Sequence, residues 1–226
     1  GSGAPFGDTC RVTLPPRPLA AYEAAPLPVL TGAELQAIVK RHALDLDGSI
    51  TPLVSSGVLH SLWSLGSRWV LRVPKNETMC LGGHRCEAVA IPLACRAGVR
   101  TPSLVVFDDS LSILDVPYSV VTRIDGADLA GEPFEHPAFE QAGRELAILH
   151  SADLTAPRHP WLRDTTDVAA EAYLDEVLDA GLLHADGVRW IRALCERLDV
   201  AIAAGPAAPQ VLIHNDVKPD NVMVDR

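Results

Sequence analysis

Thr31 stands three residues ahead of Glu34, and Leu35, Ile38, Val39 and Leu44 then recur at helical spacing. A capping box followed by an apolar stripe predicts a helix starting there. Three strand-like stretches come next, Ile50 to Ser55, Leu59 to Leu65 and Trp69 to Val73, broken at Gly57 and Gly66. Residues 83–97 read as a helix with Ala88, Ile91 and Cys95 on one face, and two further strands are predicted at Ser103 to Phe107 and Tyr118 to Ile124. Helical spacing then covers Pro137–Ser151, Asp167–Leu182 and Asp186–Ala203. The chain ends on two short apolar runs, Val211 to Ile213 and Val222 to Val224, which predict a strand–loop–strand hairpin around a polar loop. Residues 4–30 carry six prolines without periodicity, so they read as an irregular extension, with Gly1-Ser2-Gly3 as a tag scar. The class expected is α+β: a small antiparallel sheet with one main helix, then a mostly helical part.

The polar loop between the last two runs holds the most informative chemistry. His214, Asp216 and Asn221 are spaced so that one loop can present a carboxylate to a hydroxyl and a carboxamide oxygen to a magnesium ion. Transfer of a phosphoryl group from a nucleotide also needs a cation at the phosphates and a carboxylate to hold it. Alternation along Val70-Leu71-Arg72-Val73 points Arg72 away from its apolar neighbours, where a guanidinium can clamp phosphate oxygens. Lys75 is the competing cation, and Glu87 is the natural ion-pair partner. The turn from Ser55 to His60, with Ser56 before its single glycine, is the candidate cover for the triphosphate. After Val121, Thr122 and Ile124 can offer a carbonyl and an amide to the edge of a purine.

Composition narrows the setting. Hydrophobic residues make up 48% of the 226 positions, enough for a packed core, and no run reaches the roughly 18 apolar residues of a membrane span. With a formal charge of −10, nucleic acid is not an expected partner, and a neutral or cationic small molecule is. The five cysteines form no CxxC pair and are read as reduced cytoplasmic thiols. Cys80, His84 and Cys86 are too poorly spaced to be expected as a metal site.

In this order, the Val-Leu-Arg-Val-Pro strand, Glu87 leading to Val99-Arg-Thr-Pro102, Arg123-Ile-Asp-Gly126, the helix ending Leu146-Ala-Ile-Leu-His150 and the polar loop resemble the aminoglycoside phosphotransferase family. The resemblance covers about residues 31–226 and implies a protein-kinase-like two-lobed fold. Residues 31–121 would be the nucleotide-binding N-lobe, 122–126 a hinge, and 127–226 an incomplete helical C-lobe with its catalytic loop at 214–221. It implies Asp216 as catalytic carboxylate, His214 as the residue shaping the loop, and Asn221 as a magnesium ligand. Arg72 and Glu87 would be the phosphate clamp, with Thr122 and Ile124 at the base of ATP or GTP. The acceptor would be a hydroxyl of a small polar molecule such as an antibiotic. Three departures stand out. Asn215 replaces the family's usual glycine. Lys218-Pro219 is similar to the catalytic loop of Ser/Thr protein kinases, whose lysine reaches the transferred phosphate. The family's second metal-binding Asp would fall beyond Arg226, since Asp225 comes too early, so the C-lobe is expected to be truncated. The spacing of 144 residues between Arg72 and Asp216 favours the small-molecule branch over a protein kinase. A nucleotide-binding module lacking full chemistry is the third alternative.

Overall fold

A computed structural model describes residues 26–53, 59–130, 132, 136–154, 159–162, 170–205 and 209–225. The elements are α1 (Gly32–Arg41), β1 (Ile50–Leu53), β2 (His60–Leu65), β3 (Trp69–Pro74), α2 (Thr78–Ala97), β4 (Leu104–Asp108), β5 (Tyr118–Thr122), β6 (Gly126–Asp128), α3 (Pro137–His150), α4 (Ala170–Asp179), α5 (Ala185–Ala204), a 3-10 turn (Pro219–Asn221) and β7 (Met223–Asp225). They fall into two compact units. One contains α1 to α3 with residues 209–225, and the other contains α4 and α5.

The larger unit is built on an antiparallel five-stranded sheet in the order β1-β2-β3-β5-β4. Residues opposite one another in an antiparallel pair share a face, so the register sorts the side chains. Trp63 lies opposite Leu71, which lies opposite Val120. These join Leu65, Val73 and Tyr118, with Leu35 and Ile38 of α1, in one buried apolar core. Leu62, Arg72 and Ser119 are likewise in register and occupy the other face. Thr31 begins α1 with the expected capping box, its hydroxyl accepting from Glu34 N–H at 3.2 Å and Glu34 accepting from Thr31 N–H at 2.7 Å. A second core joins Ala94 of α2, Leu149 of α3 and Leu212.

A buried carboxylate ties α1 to the sheet edge. Asp108, at the end of β4, accepts from Tyr118 Oη at 2.9 Å and from Ser110 N–H at 2.9 Å, and pairs with Arg41 Nε at 2.8 Å. Burial alone would raise its pKa, but the Ser110 and Tyr118 hydrogen bonds and the Arg41 charge outweigh that and hold it well below the usual carboxylate range. Burial and the adjacent carboxylate push the Tyr118 phenol up. Asp108→Ala removes the carboxylate that Tyr118, Ser110 and Arg41 share, leaving the Tyr118 hydroxyl only His42 Nε2 at 2.9 Å and Arg41 only the Ser110 hydroxyl at 3.3 Å. A loss of about 3 kcal/mol in unfolding free energy is expected, read as a lower urea midpoint.

Several expected boundaries move. The main helix starts at Thr78 instead of 83, because Leu81 N–H bonds Glu77 O and Cys80 and Leu81 turn inward. That burial outweighs the roughly 1 kcal/mol per residue of helix propensity lost at Gly82 and Gly83. The helix expected at 167–182 ends at Asp179, because Gly181 takes φ +68° and Leu182 N–H returns to Val177 O. β5 stops at Thr122, not Ile124. Val211 to Ile213 form no strand. Only Leu212 is buried there, while Val211 and Ile213 stay exposed, and β7 takes β6 as its partner. The expected hairpin is therefore one extended segment, one 3-10 turn and one strand. Cys86, Cys95 and Cys195 carry free thiols. Among the described residues, no helix is long and apolar enough to cross a membrane.

Candidate active site

Arg72 sits mid-strand on the sheet face opposite the main core, and Glu87 lies in the third turn of α2. Arg72 Nη1 and Glu87 Oε2 are 2.6 Å apart. A strand and a helix, each fixed by its own buried side, thus bring together two charges fifteen positions apart in sequence. Lys75 follows β3 directly, and its N–H bonds Leu59 O at 2.9 Å. Its residue is only 6% exposed, whereas the Arg72 side chain is 23% exposed and ion-paired with Glu87.

Two histidines that the sequence did not place together stand beside this pair. His60, the first residue of β2, and His84, one helical turn before Glu87, approach at 3.2 Å between His60 Nε2 and His84 Nδ1. The His84 residue is 1% exposed. His84 to Glu87 is an i, i+3 pair, a spacing visible in the sequence. Its connection to His60 exists only through the sheet. The grouping around His84 is therefore His60 and Glu87, not Cys80 and Cys86.

Burial pushes both imidazoles down to about 3, with Arg72 adding to the effect on His60, and His60 and then Arg72 adding to it on His84. A neutral buried histidine stabilises the fold fully above pH 6.5, and that stability is lost as pH falls from 6.5 toward 3, where only the unfolded chain takes up the proton. The slope reaches up to about 1.4 kcal/mol per pH unit for each histidine. Unfolding titrations at pH 7 and pH 5 should therefore show a smaller drop for a His60→Gln/His84→Gln double variant than for the parent. Equal drops would contradict the assignment.

The loop at 214–221 is held from within and at both ends. Asn221 Nδ2 donates to Asp216 O and to Asp216 Oδ2, both at 2.9 Å. The amide's acceptor end, Oδ1, is then the atom that can face a cation. Asp216 N–H donates to His214 Nδ1 at 3.4 Å, so the histidine ring braces the turn. Asn215 adopts φ +66°. Asparagine is, after glycine, the residue that tolerates this left-handed conformation best. On the inward side, Leu212 is packed against Ala94 and Leu149. On the outward side, β7 pairs with β6 in the register Gly126↔Asp225 and Asp128↔Met223, and Leu129 N–H bonds Pro219 O and Val222 O at 3.1 Å. The segment that follows β5 is thus stitched to the strand leaving the loop. Lys218 is 3.8 Å from Asp220.

At the end of β5, Thr122 N–H bonds Ser103 O at 2.9 Å and Thr122 Oγ1 accepts from Ser103 N–H at 2.8 Å. Arg123 bonds Ser64 Oγ at 2.7 Å and lies 3.3 Å from Asp125. Ile124 is half-buried between them. Ser56 lies outside the described residues.

The profile of the phosphotransferase enzyme family, APH, matches residues 51–226. The chain belongs to that family. Its fold is that of the aminoglycoside kinases, with an antiparallel N-lobe sheet and part of the helical C-lobe. It is 18% identical to APH(2")-IIa in its gentamicin complex, with a TM-score of 0.58, covering 88% of this chain and 67% of that one. Against ADP-bound APH(2'')-Ib it is 16% identical, with a TM-score of 0.57, covering 87% of this chain and 67% of that one. Against spectinomycin phosphotransferase APH(9)-Ia with ADP and spectinomycin, the identity is 11% and the TM-score 0.53, covering 88% and 67%. The chain thus spans about two thirds of the length of these structures. No curated protein matches it by sequence.

Proposed function

We propose that this chain supplies the nucleotide site and catalytic loop of an ATP- or GTP-dependent O-phosphotransferase acting in the cytoplasm on a hydroxyl of a small polar molecule, an aminoglycoside or similar antibiotic. The observation that carries this reading is the Arg72–Glu87 ion pair, at 2.6 Å, in the same compact unit as an Asp216–Asn221 loop tied by its own hydrogen bonds. In this reading residues 31–121 form the nucleotide-binding lobe, 122–126 the hinge and 127–226 the helical lobe. The Thr122 carbonyl and Ile124 amide meet the base, Ser56 and its turn cover the phosphates, and Arg72 grips phosphate oxygens while Glu87 aims it. Lys75, buried beside the same strand end, supports the cationic character of that region.

Asp216 accepts a hydrogen bond from the acceptor hydroxyl, orients its lone pair at the γ-phosphorus and takes the proton as the new P–O bond forms. His214 keeps the loop in shape, and Lys218 is the side chain nearest in sequence to neutralise the transferred phosphoryl group. A hard cation such as Mg²⁺ takes oxygen ligands and retains water or phosphate oxygens in its remaining positions. Asn221 fits that demand, since its nitrogen is occupied by Asp216 and its oxygen is left to coordinate. When bound, the ion would neutralise phosphate charge. Two features support an antibiotic as acceptor: the −10 formal charge, which suits a cationic substrate, and relatives of the same fold whose complexes hold gentamicin or spectinomycin.

The test is a panel of aminoglycosides, spectinomycin-like molecules and simple amino alcohols, each assayed for ATP and GTP consumption with the product followed by mass. Consumption that depends on one acceptor, with one phosphoryl group added to it, is the expected result. Phosphorylation of a generic protein substrate alone, or nucleotide binding without turnover on any acceptor, would overturn it.

A further inference from the structure

We propose that His60, His84 and Glu87 form a binding site for a borderline divalent cation, with Zn²⁺ as its prototype, whose occupancy opposes the Arg72–Glu87 pair. Among the described residues, this is the trio whose donor atoms all lie within 4.8 Å of one another. The separation of 3.2 Å between His60 Nε2 and His84 Nδ1 is close to the roughly 3.3–3.5 Å between donor atoms on a tetrahedral ion bound at about 2.0–2.1 Å. Two imidazoles and a carboxylate are a donor set that Zn²⁺ and its neighbours favour over Mg²⁺ or Ca²⁺.

Three further observations distinguish this trio from an ordinary buried histidine pair. First, the buried side-chain polar atoms without a hydrogen-bond partner among the described residues are Trp69 Nε1, His84 Nε2 and Glu87 Oε2, so two of the three belong to it. A buried polar atom without a partner is unfavourable by about 1–3 kcal/mol, which an ion on Glu87 Oε2 would relieve there, while His84, facing His60 through Nδ1, keeps its Nε2 outside the coordination. The Arg72–Glu87 contact is short but lacks hydrogen-bond geometry, so Glu87 Oε2 keeps an unused lone pair. Second, the two imidazoles face each other nitrogen to nitrogen, and a change of tautomer in one of them presents both facing lone pairs to an ion. Third, His60 lines a surface groove of about 140 Å³ with Leu27, Leu53 and Trp63, and the Glu87 side chain is 40% exposed, so two members of the trio reach the surface.

The effect on Arg72 follows from charge. Like unit charges about 4 Å apart repel by about 4 kcal/mol at an effective dielectric of 20, and a divalent ion doubles that. An ion held by Glu87 therefore drives the guanidinium away from the position in which Glu87 would otherwise hold it. The regulatory consequence, weaker nucleotide binding in the metal-loaded protein, rests on the reading of Arg72 as a phosphate clamp. The site itself does not.

The experiment is titration of the intact protein with Co²⁺ and Zn²⁺, following visible absorption for Co²⁺ and competition with a chromophoric chelator for Zn²⁺. One equivalent bound, with tetrahedral Co²⁺ absorption and affinity falling at least about 10-fold in His60→Gln and in His84→Gln, is the expected result. His60→Gln, on the more accessible member, serves if His84→Gln does not fold. Arg72→Ala should shift the two ligands in opposite directions, tightening Zn²⁺ binding and weakening nucleotide binding. No stoichiometric binding, or binding unchanged in both histidine variants, would overturn the proposal. Metal binding lost in those variants, in a protein that binds no nucleotide with or without Zn²⁺, would support the metal site and sink the phosphate-clamp reading instead.

Discussion

Asp216→Asn is expected to lower phosphoryl transfer about 10²–10⁴-fold while leaving the protein folded. The loop residue is exposed, and its carboxylate is held by one side-chain donor, Asn221 Nδ2. Removing the charge therefore disturbs no buried core. What is lost is the acceptor for the hydroxyl proton, and an amide also turns a donor toward a group that needs an acceptor. Nucleotide affinity should change little, because the residue addresses the other substrate. The measurement is kcat and KM for both substrates, with a circular-dichroism melt as the folding control. An Asn variant retaining most of its turnover would remove Asp216 from the chemistry.

Arg72→Ala is expected to reduce kcat/KM for the nucleotide about 10²–10³-fold, the scale found when one fixed donor to developing negative charge is removed. The guanidinium is 23% exposed, and its partner sits on a different element, so its direction is set before the nucleotide arrives. Arg72→Lys should recover part of the loss, since it restores charge but not the planar fork. Glu87→Gln should fall between, because it leaves the cation in place but loosens its aim. Calorimetric nucleotide binding checks the series. An unchanged kcat/KM in Arg72→Ala would shift the role to Lys75.

Strands and helices were legible wherever period and burial agreed. The capping box at Thr31, the alternation through Val70-Leu71-Arg72-Val73 and the helical stripe from Pro137 all lead to elements that the structure contains. Local pattern failed where tertiary contacts decided the matter. Gly82 and Gly83 look like a break, yet α2 runs through them because residues before them are buried. Val211 to Ile213 look like a strand, yet a single leucine is drawn into the core and no strand among the described residues pairs with them. The ion pair of Arg72 and Glu87 was foreseeable because the resemblance links the two positions. His60 joining His84 was not, because nothing local to either residue reports the strand register that brings them together.

The three-pair ladder between β6 and β7 joins positions roughly a hundred residues apart. Closing so long a loop opposes folding by about 4 kcal/mol of chain entropy, for a ribbon too small to persist alone. Arg72 and Glu87, by contrast, meet over a short stretch of backbone. During synthesis the sheet can be complete while the segment bearing Asp216 is still in the ribosomal tunnel. The expected order of assembly is therefore the guanidinium half first and the carboxylate half last.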